Sequence, residues 1–249
     1  MIERLKGLQY APDALDRTGM AELIVQAQGL SRRFGRRWAL AGVDLELVQG
    51  ESFLVVGANG SGKTTLLRLV GTALSASRGQ LRLFGLDPSR DLFRIRAELA
   101  MLSHQSGLYD DLSAAENLSV VARLAGVEDE TELWLERVGL ELRPDPVRAY
   151  SAGMRKRLSF ARLLAQRPSL VLLDEPYGQL DPEGFDLVDG LIRDLAQGGA
   201  TVLVASHLVG RAALHCDRAL LLHEGQPRWL GPATHIVQAW QTLHGGVNS

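Results

Sequence analysis

Apolar residues along this chain fall into short runs of two kinds. Leu23 to Ala27, Val43-Asp44-Leu45-Glu46-Leu47 and Gln80-Leu81-Arg82-Leu83-Phe84 alternate apolar with polar positions, the period of strands buried on one face. Gly79 and Gly85 bound the third run, and the set predicts a small antiparallel β-subdomain. Leu170-Val171-Leu172-Leu173, Thr201-Val202-Leu203-Val204 and Ala219-Leu220-Leu221-Leu222 are apolar nearly throughout, which suits parallel strands covered on both faces. Asp181-Pro182 begins a helix and Gly198-Gly199 ends it, so the first two of these strands are joined by a strand–helix–strand crossover.

From Ser113 to about Ala165 the period is helical. Ser113-Ala114-Ala115-Glu116 has the form of a capping box, with Leu118, Val121, Ala122 and Ala125 as one apolar stripe behind it. A second helix runs through Trp134, Leu135 and Val138 and stops at Gly139. A helical insert of about residues 106–165 therefore interrupts an α/β core. Residues 1–22 are polar and unpatterned, with a fresh start at Met20. They are expected to be a disordered tail, or the product of an upstream start codon, ahead of one domain over 23–232. A C-terminal tail is expected over 233–249.

Phe53-Leu54-Val55-Val56 runs into Gly57-Ala58-Asn59-Gly60-Ser61-Gly62-Lys63-Thr64-Thr65, and Leu67, Val70, Gly71 and Leu74 follow at helical spacing. This is the spacing of a phosphate-binding P-loop between a strand and a helix. The glycines let main-chain N–H groups converge on phosphate oxygens, and the helix N-terminus favours the same anion. Lys63 reaches the β- and γ-phosphates, and the Thr64 hydroxyl suits Mg²⁺. The sequence thus predicts binding of a nucleoside triphosphate with Mg²⁺.

Composition narrows the class without changing it. The chain has 249 residues, and its 46% hydrophobic content is interspersed with charge. No apolar run approaches the roughly 18–20 residues of a membrane-spanning helix. With 27 Lys+Arg against 29 Asp+Glu, the net charge of -2 offers no surplus for nucleic acid. Cys216 is the single cysteine, so no internal disulfide framework exists and a reducing compartment fits.

Asp174-Glu175-Pro176 follows the Leu170 strand directly, and ligands bind at the carboxyl edge of such sheets. Asp174 is placed to hold a metal-bound water, and Glu175 to accept a proton from an attacking water. Tyr150-Ser151-Ala152-Gly153-Met154 precedes Arg155-Lys156-Arg157, read as the start of a helix with a basic outer face. The order P-loop, helical insert, Ser-x-Gly before a basic helix, Leu-Leu-Asp-Glu-Pro, Leu180-Asp181 and Ser206-His207 resembles the ATP-binding subunits of ABC transporters over roughly residues 23–230.

The resemblance implies an α/β fold of the ABC ATPase type. Such a fold has a RecA-like P-loop NTPase core, a small antiparallel β-subdomain and an inserted α-helical subdomain. It further implies a homodimer in which Ser151 and Gly153 of one copy face the γ-phosphate on the other, with Asp181 contacting the opposite protomer. Gln105 matches the Q-loop glutamine, a Mg²⁺ ligand and water-orienting group, His207 the switch histidine at the γ-phosphate, and Phe34 the aromatic that stacks on adenine. Residue by residue, alternatives stay open: Ser151 and Asp181 are also good helix N-caps, and Phe34 also suits a core. Tyr150, Ala152 and Met154 depart from the usual Leu-Ser-Gly-Gly-Gln signature.

The resemblance supplies an integral membrane partner as well, and Gly107-Leu108-Tyr109-Asp110-Asp111-Leu112 is the expected docking surface. The protein would then be cytoplasmic and peripheral on the inner face of the membrane. Within the family, His104-Gln105, Leu108 to Leu112 and Tyr150-Ser151-x-Gly153-Met154-Arg155 are similar to the subunits of haem exporters used in cytochrome c maturation. Drug, lipid and polysaccharide exporters share the Ser-x-Gly-Met-Arg form. A soluble ABC ATPase acting without a membrane partner is the other class.

Overall fold

A computed structural model of the protein describes residues 22–103 and 106–244. The expected N-terminal tail and Gln105 lie outside the described residues, apart from Glu22. In chain order the strands and helices are β1 (Leu23–Phe34), β2 (Arg37–Val48), β3 (Ser52–Val56), α1 (Lys63–Val70), β4 (Arg78–Leu83), α2 (Leu92–Ala97), β5 (Leu99–Leu102), α3 (Ala114–Ala125), α4 (Thr131–Arg137), α5 (Ala152–Ala165), β6 (Leu170–Asp174), α6 (Pro182–Gln197), β7 (Thr201–Ala205), α7 (Val209–Ala213), β8 (Arg218–His223), β9 (Gln226–Pro232) and α8 (Ile236–His244).

The strands form two sheets. One is antiparallel, in the order β2-β1-β4; the other runs β5-β6-β7-β3-β8-β9. Its first five strands are parallel, and β9 closes the far edge antiparallel to β8. The large sheet separates two clusters of buried side chains. Leu54, Val56, Val171, Leu173, Val202 and Val204 point to one face, where the helical insert, α6 and α7 pack. Their neighbours Phe53, Val55, Leu170, Leu172, Leu203 and Ala205 point to the other, against α1 and the antiparallel sheet. Period-2 alternation between two apolar layers explains why these strands read as unbroken apolar runs.

The insert follows its sequence signals closely. Ser113 Oγ accepts from Glu116 N–H while the Glu116 carboxylate accepts from Ser113 N–H, so the capping box before α3 is complete. Trp134 and Leu135 of α4 are buried in the insert's core. The helix after the P-loop is shorter than its spacing predicts: α1 ends at Val70 with Gly71 as its cap, leaving Leu74 beyond it. The segment expected as a C-terminal tail is corrected over 233–244, where a 3-10 turn leads into α8 and fully buried Ile236 anchors it to the core. Among the described residues, no helix is long and apolar enough to cross a membrane.

Candidate functional site

Three strand ends meet at one level of the large sheet. Asp174 of β6 pairs with Ala205 of β7, and Ala205 pairs with Val55 of β3. The ladder continues past the strands: Glu175 N–H donates to Ala205 O at 2.9 Å, and Ser206 N–H to Val55 O at 3.2 Å. The P-loop, the Asp174-Glu175 pair and His207 thus leave adjacent strands side by side, where adjacent strands lie about 4.8 Å apart.

The P-loop is closed by main-chain bonds, Ser61 N–H to Ala58 O at 3.1 Å and Gly225 N–H to Ser61 O at 3.0 Å. Ala58, Asn59 and Gly60 face solvent, while Ser61 and Lys63 are buried. Gly57 is required by proximity: a Cβ there would stand 2.2 Å from Ser61 Oγ and 2.5 Å from Leu222 O. Gly62 caps α1 at φ 107°, a left-handed conformation open to glycine. Lys63 folds back along its own loop, donating to Gly57 O at 2.7 Å and Ala58 O at 3.3 Å. Its ammonium lies 3.8 Å from Glu175 Oε1.

Thr64 Oγ1 donates to Asp174 Oδ1 at 3.0 Å. Asp174 is fully buried, and its Oδ2, like Ser61 Oγ, has no hydrogen-bond partner. A buried carboxylate oxygen left orphaned beside a hydroxyl is a strong reason to expect a cation or an ordered donor there. A hard cation takes oxygen ligands of this kind. Thr64 and Asp174 therefore fit Mg²⁺, and the glycine-lined, donor-rich loop fits a triphosphate.

Glu175 has φ 48°, unusual for a residue with a side chain. Its Oε2 accepts from His207 Nδ1 at 2.7 Å, so the ring and the carboxylate sit together at the edge of the P-loop. Behind this pair, the Tyr177 hydroxyl donates to Asp189 Oδ1 at 2.8 Å. Asp189 Oδ2 also takes Arg211 Nη2 at 2.5 Å and His215 Nε2 at 3.2 Å. Burial, and then the bond to Asp189, push the Tyr177 hydroxyl pKa up, so it stays a donor. The network ties the turn after Glu175 to α6 and α7. The sequence reading missed it, because its members are dispersed polar residues without a motif.

Phe34 is 48% exposed, which removes the core alternative. Arg32 stacks its guanidinium 4.8 Å from the Phe34 ring centroid. The β1–β2 hairpin that carries Phe34 is bound to the P-loop through Ala41 N–H to Gly225 O at 2.7 Å and Gly225 N–H to Ser61 O. Ser151, Gly153 and Asp181 gather in a second patch. Ser151 Oγ caps α5 by accepting from Met154 N–H at 3.2 Å, and Asp181 caps α6 by accepting from Gly184 N–H at 2.8 Å. Gly153 abuts Gln179 O, and Asp181 lies 3.5 Å from Arg157 Nη2.

The basic outer face expected for the helix after Ser151 is a correction. Arg155, Lys156 and Arg157 are all partly buried. They turn to three different anchors: Asp110, the Glu175 carbonyl and the Val138 carbonyl. Successive helical residues point about 100° apart, so three cations in a row cannot share one face.

Gly57→Ala should abolish nucleotide binding while leaving the far-ultraviolet circular dichroism spectrum unchanged, since the intruding methyl displaces Ser61 and the loop without touching either core. Titration with a fluorescent ATP analogue checks this, and wild-type affinity would refute the crowding argument.

Residues 40–178, more than half of the chain, match the family model described as ABC transporter. The daunorubicin resistance ATP-binding protein DrrA3 of Streptomyces coeruleorubidus is 33% identical over 213 residues, covering 83% of this chain and 67% of that protein. The cytochrome c biogenesis ATP-binding export protein CcmA of Bradyrhizobium diazoefficiens is 42% identical over 176 residues, 70% of this chain and 86% of that protein. Among solved structures, a dimeric ATP-binding cassette in a post-hydrolysis state bound to ADP and Pi matches with a TM-score of 0.77. The match covers 84% of this chain and 99% of that one at 23% identity, and speaks for the fold. With a P-loop, a buried Asp174 and a Glu175–His207 pair on adjacent strands, this chain belongs to the ATP-binding subunits of the ABC transporter family and is an ATPase.

Proposed function

We propose that this ATPase powers export through a separate integral membrane subunit, and that its cargo is haem for cytochrome c maturation. The observation that carries the catalytic part is the convergence of Lys63, Asp174, Glu175 and His207 at three adjacent strand ends. The P-loop N–H groups and Lys63 hold the phosphates of ATP. Thr64 and Asp174 would hold Mg²⁺, which when bound neutralises phosphate charge, and Gln105 is proposed as a further ligand. Glu175 takes the proton of the attacking water, and His207, fixed through Nδ1, presents its other ring nitrogen to the γ-phosphate. Phe34 carries the adenine.

The same reading makes the protein a homodimer. Ser151 and Asp181 make their capping bonds to Met154 N–H and Gly184 N–H, and the patch they form with Gly153 supports a pairing in which each copy completes the other's site. Closure on ATP and opening after hydrolysis then drive the membrane subunit. Tyr109 is 56% exposed on a loop held by buried Asn117, which accepts from Tyr109 N–H at 2.8 Å and donates to Tyr109 O at 3.0 Å. That rigid, exposed aromatic supports Leu108 to Leu112 as the docking surface, although Leu108 itself packs partly against the core. Docking there would hold the protein at the inner face of the membrane.

The haem assignment draws on the 42% identity to a cytochrome c biogenesis export protein. The 33% identity to a daunorubicin resistance protein supports the alternative, export of a drug or another amphiphile. Deletion of the gene should abolish c-type cytochromes in haem-stained membranes, with rescue by the wild-type gene and none by Lys63→Ala. Normal cytochromes together with new drug sensitivity would transfer the assignment to the alternative.

Two further outcomes are expected. Glu175→Gln should bind ATP, lose about 10²–10⁴-fold in turnover, and elute as an ATP-bound dimer in size-exclusion chromatography; undiminished turnover would overturn the base assignment. Tyr109→Glu should lose co-purification with the membrane subunit while retaining ATP binding, and intact co-purification would move the docking surface elsewhere.

A further inference from the structure

We infer that Lys156, near the start of α5, is a positioning residue for Glu175, holding the main-chain turn that aims the carboxylate. The inference rests on Glu175 acting as the base. Lys156 Nζ donates to Glu175 O at 3.2 Å, across 19 residues of sequence. The same carbonyl accepts from Gly178 N–H at 3.2 Å, and Glu175 N–H is taken by Ala205 O at 2.9 Å. Both ends of the Glu175 peptide are thereby clamped.

The clamp has work to do, because Glu175 stands at φ 48°. A side-chain-bearing residue persists in this region only when its surroundings over-determine it. Relaxing the backbone toward negative φ would swing Cβ and carry the carboxylate off His207, now 2.7 Å away. Lys156 is not a surface lysine that happens to reach inward. Its ammonium lies 5.9 Å from the centroid of the fully buried Phe160 ring. Burial lowers its pKa, while the charges of Asp174 and Glu175 act the other way. A long flexible cation gives up solvation and rotamer freedom to sit here, and the turn it bonds is the one bearing the base.

The placement also joins two parts of the molecule. Ser151, whose oxygen caps α5, lies little more than one turn before Lys156 on the same helix. A cavity of about 440 Å³ opens beside the contact, lined among others by Ser103, Ser106, Arg155, Lys156, Ser159 and Glu175. Through this contact the helix that Ser151 caps is joined to the turn bearing Glu175.

Steady-state ATP hydrolysis by the purified full chain tests the inference. Lys156→Met keeps the apolar stem and removes the donor; it should lower kcat by about tenfold to a hundredfold, the scale of a misplaced catalytic group. The KM for ATP should stay within about twofold, because the lost interaction concerns the reaction rather than binding. Lys156→Arg, which retains a cationic donor, should restore most of kcat at equal thermal stability. Placed on Glu175→Gln, Lys156→Met should cause no further loss. Wild-type kcat in Lys156→Met, or a fully additive loss on Glu175→Gln, would overturn the inference. If Lys156→Met does not fold, Lys156→Gln takes its place with the same expectations, and unchanged kcat in it overturns the proposal equally. Full activity of Glu175→Gln alone would instead remove the base reading beneath it, a result separable from an inactive Glu175→Gln beside an unimpaired Lys156→Met.

Discussion

The structure depends on the hydrogen-bond register of β6, β7 and β3 at their carboxyl ends. Asp174, Ala205 and Val55 stand in line, and the main-chain bonds from Glu175 and Ser206 extend the ladder one residue beyond the strands. A slip of one residue would exchange the two faces of a strand, sending Val171 and Leu173 to the wrong core and Asp174 away from Thr64. Because the two faces bury different clusters, apolar packing on both sides enforces the register. The precision of the site is therefore inherited from the core rather than supplied by the loops.

Electrostatics within that frame is local and crowded. Lys63, buried apart from a small part of its surface, stands between loop carbonyls and the Glu175 carboxylate. Asp174 is held by one hydroxyl, with one oxygen unpartnered. These groups are held in place by the protein's own bonds. The Tyr177–Asp189–Arg211 network braces the turn from behind.

Much of this was legible in the sequence, for identifiable reasons. The P-loop could be read because phosphate binding demands glycines and Lys63-Thr64 at fixed offsets, and the capping box at Ser113 because its two bonds are local. Strands buried on both faces announced themselves as apolar runs. What escaped is non-local. β9 and α8 owe their form to packing on β8, and the sequence there, from Gln226 to Pro232, alternates too weakly to signal a strand. The Arg155-Lys156-Arg157 run read as a solvated face because charge suggests solvent, whereas each cation has an anchor brought close only by folding. Asp181 and Ser151 show the reverse case: both cap helices as the sequence suggests, and the proposed role toward a partner would use the same oxygens, so sequence alone leaves both open.

The packing of α6 and α7 against the core also governs the lone cysteine. Cys216 is partly buried and packs against the large core cluster, and desolvation, helped by the charges of Asp217 and Asp189, raises its pKa so that little thiolate forms at neutral pH. Maleimide and iodoacetamide reagents will therefore favour any cysteine newly placed on the surface. Labels directed at thiols will report mainly on the introduced position.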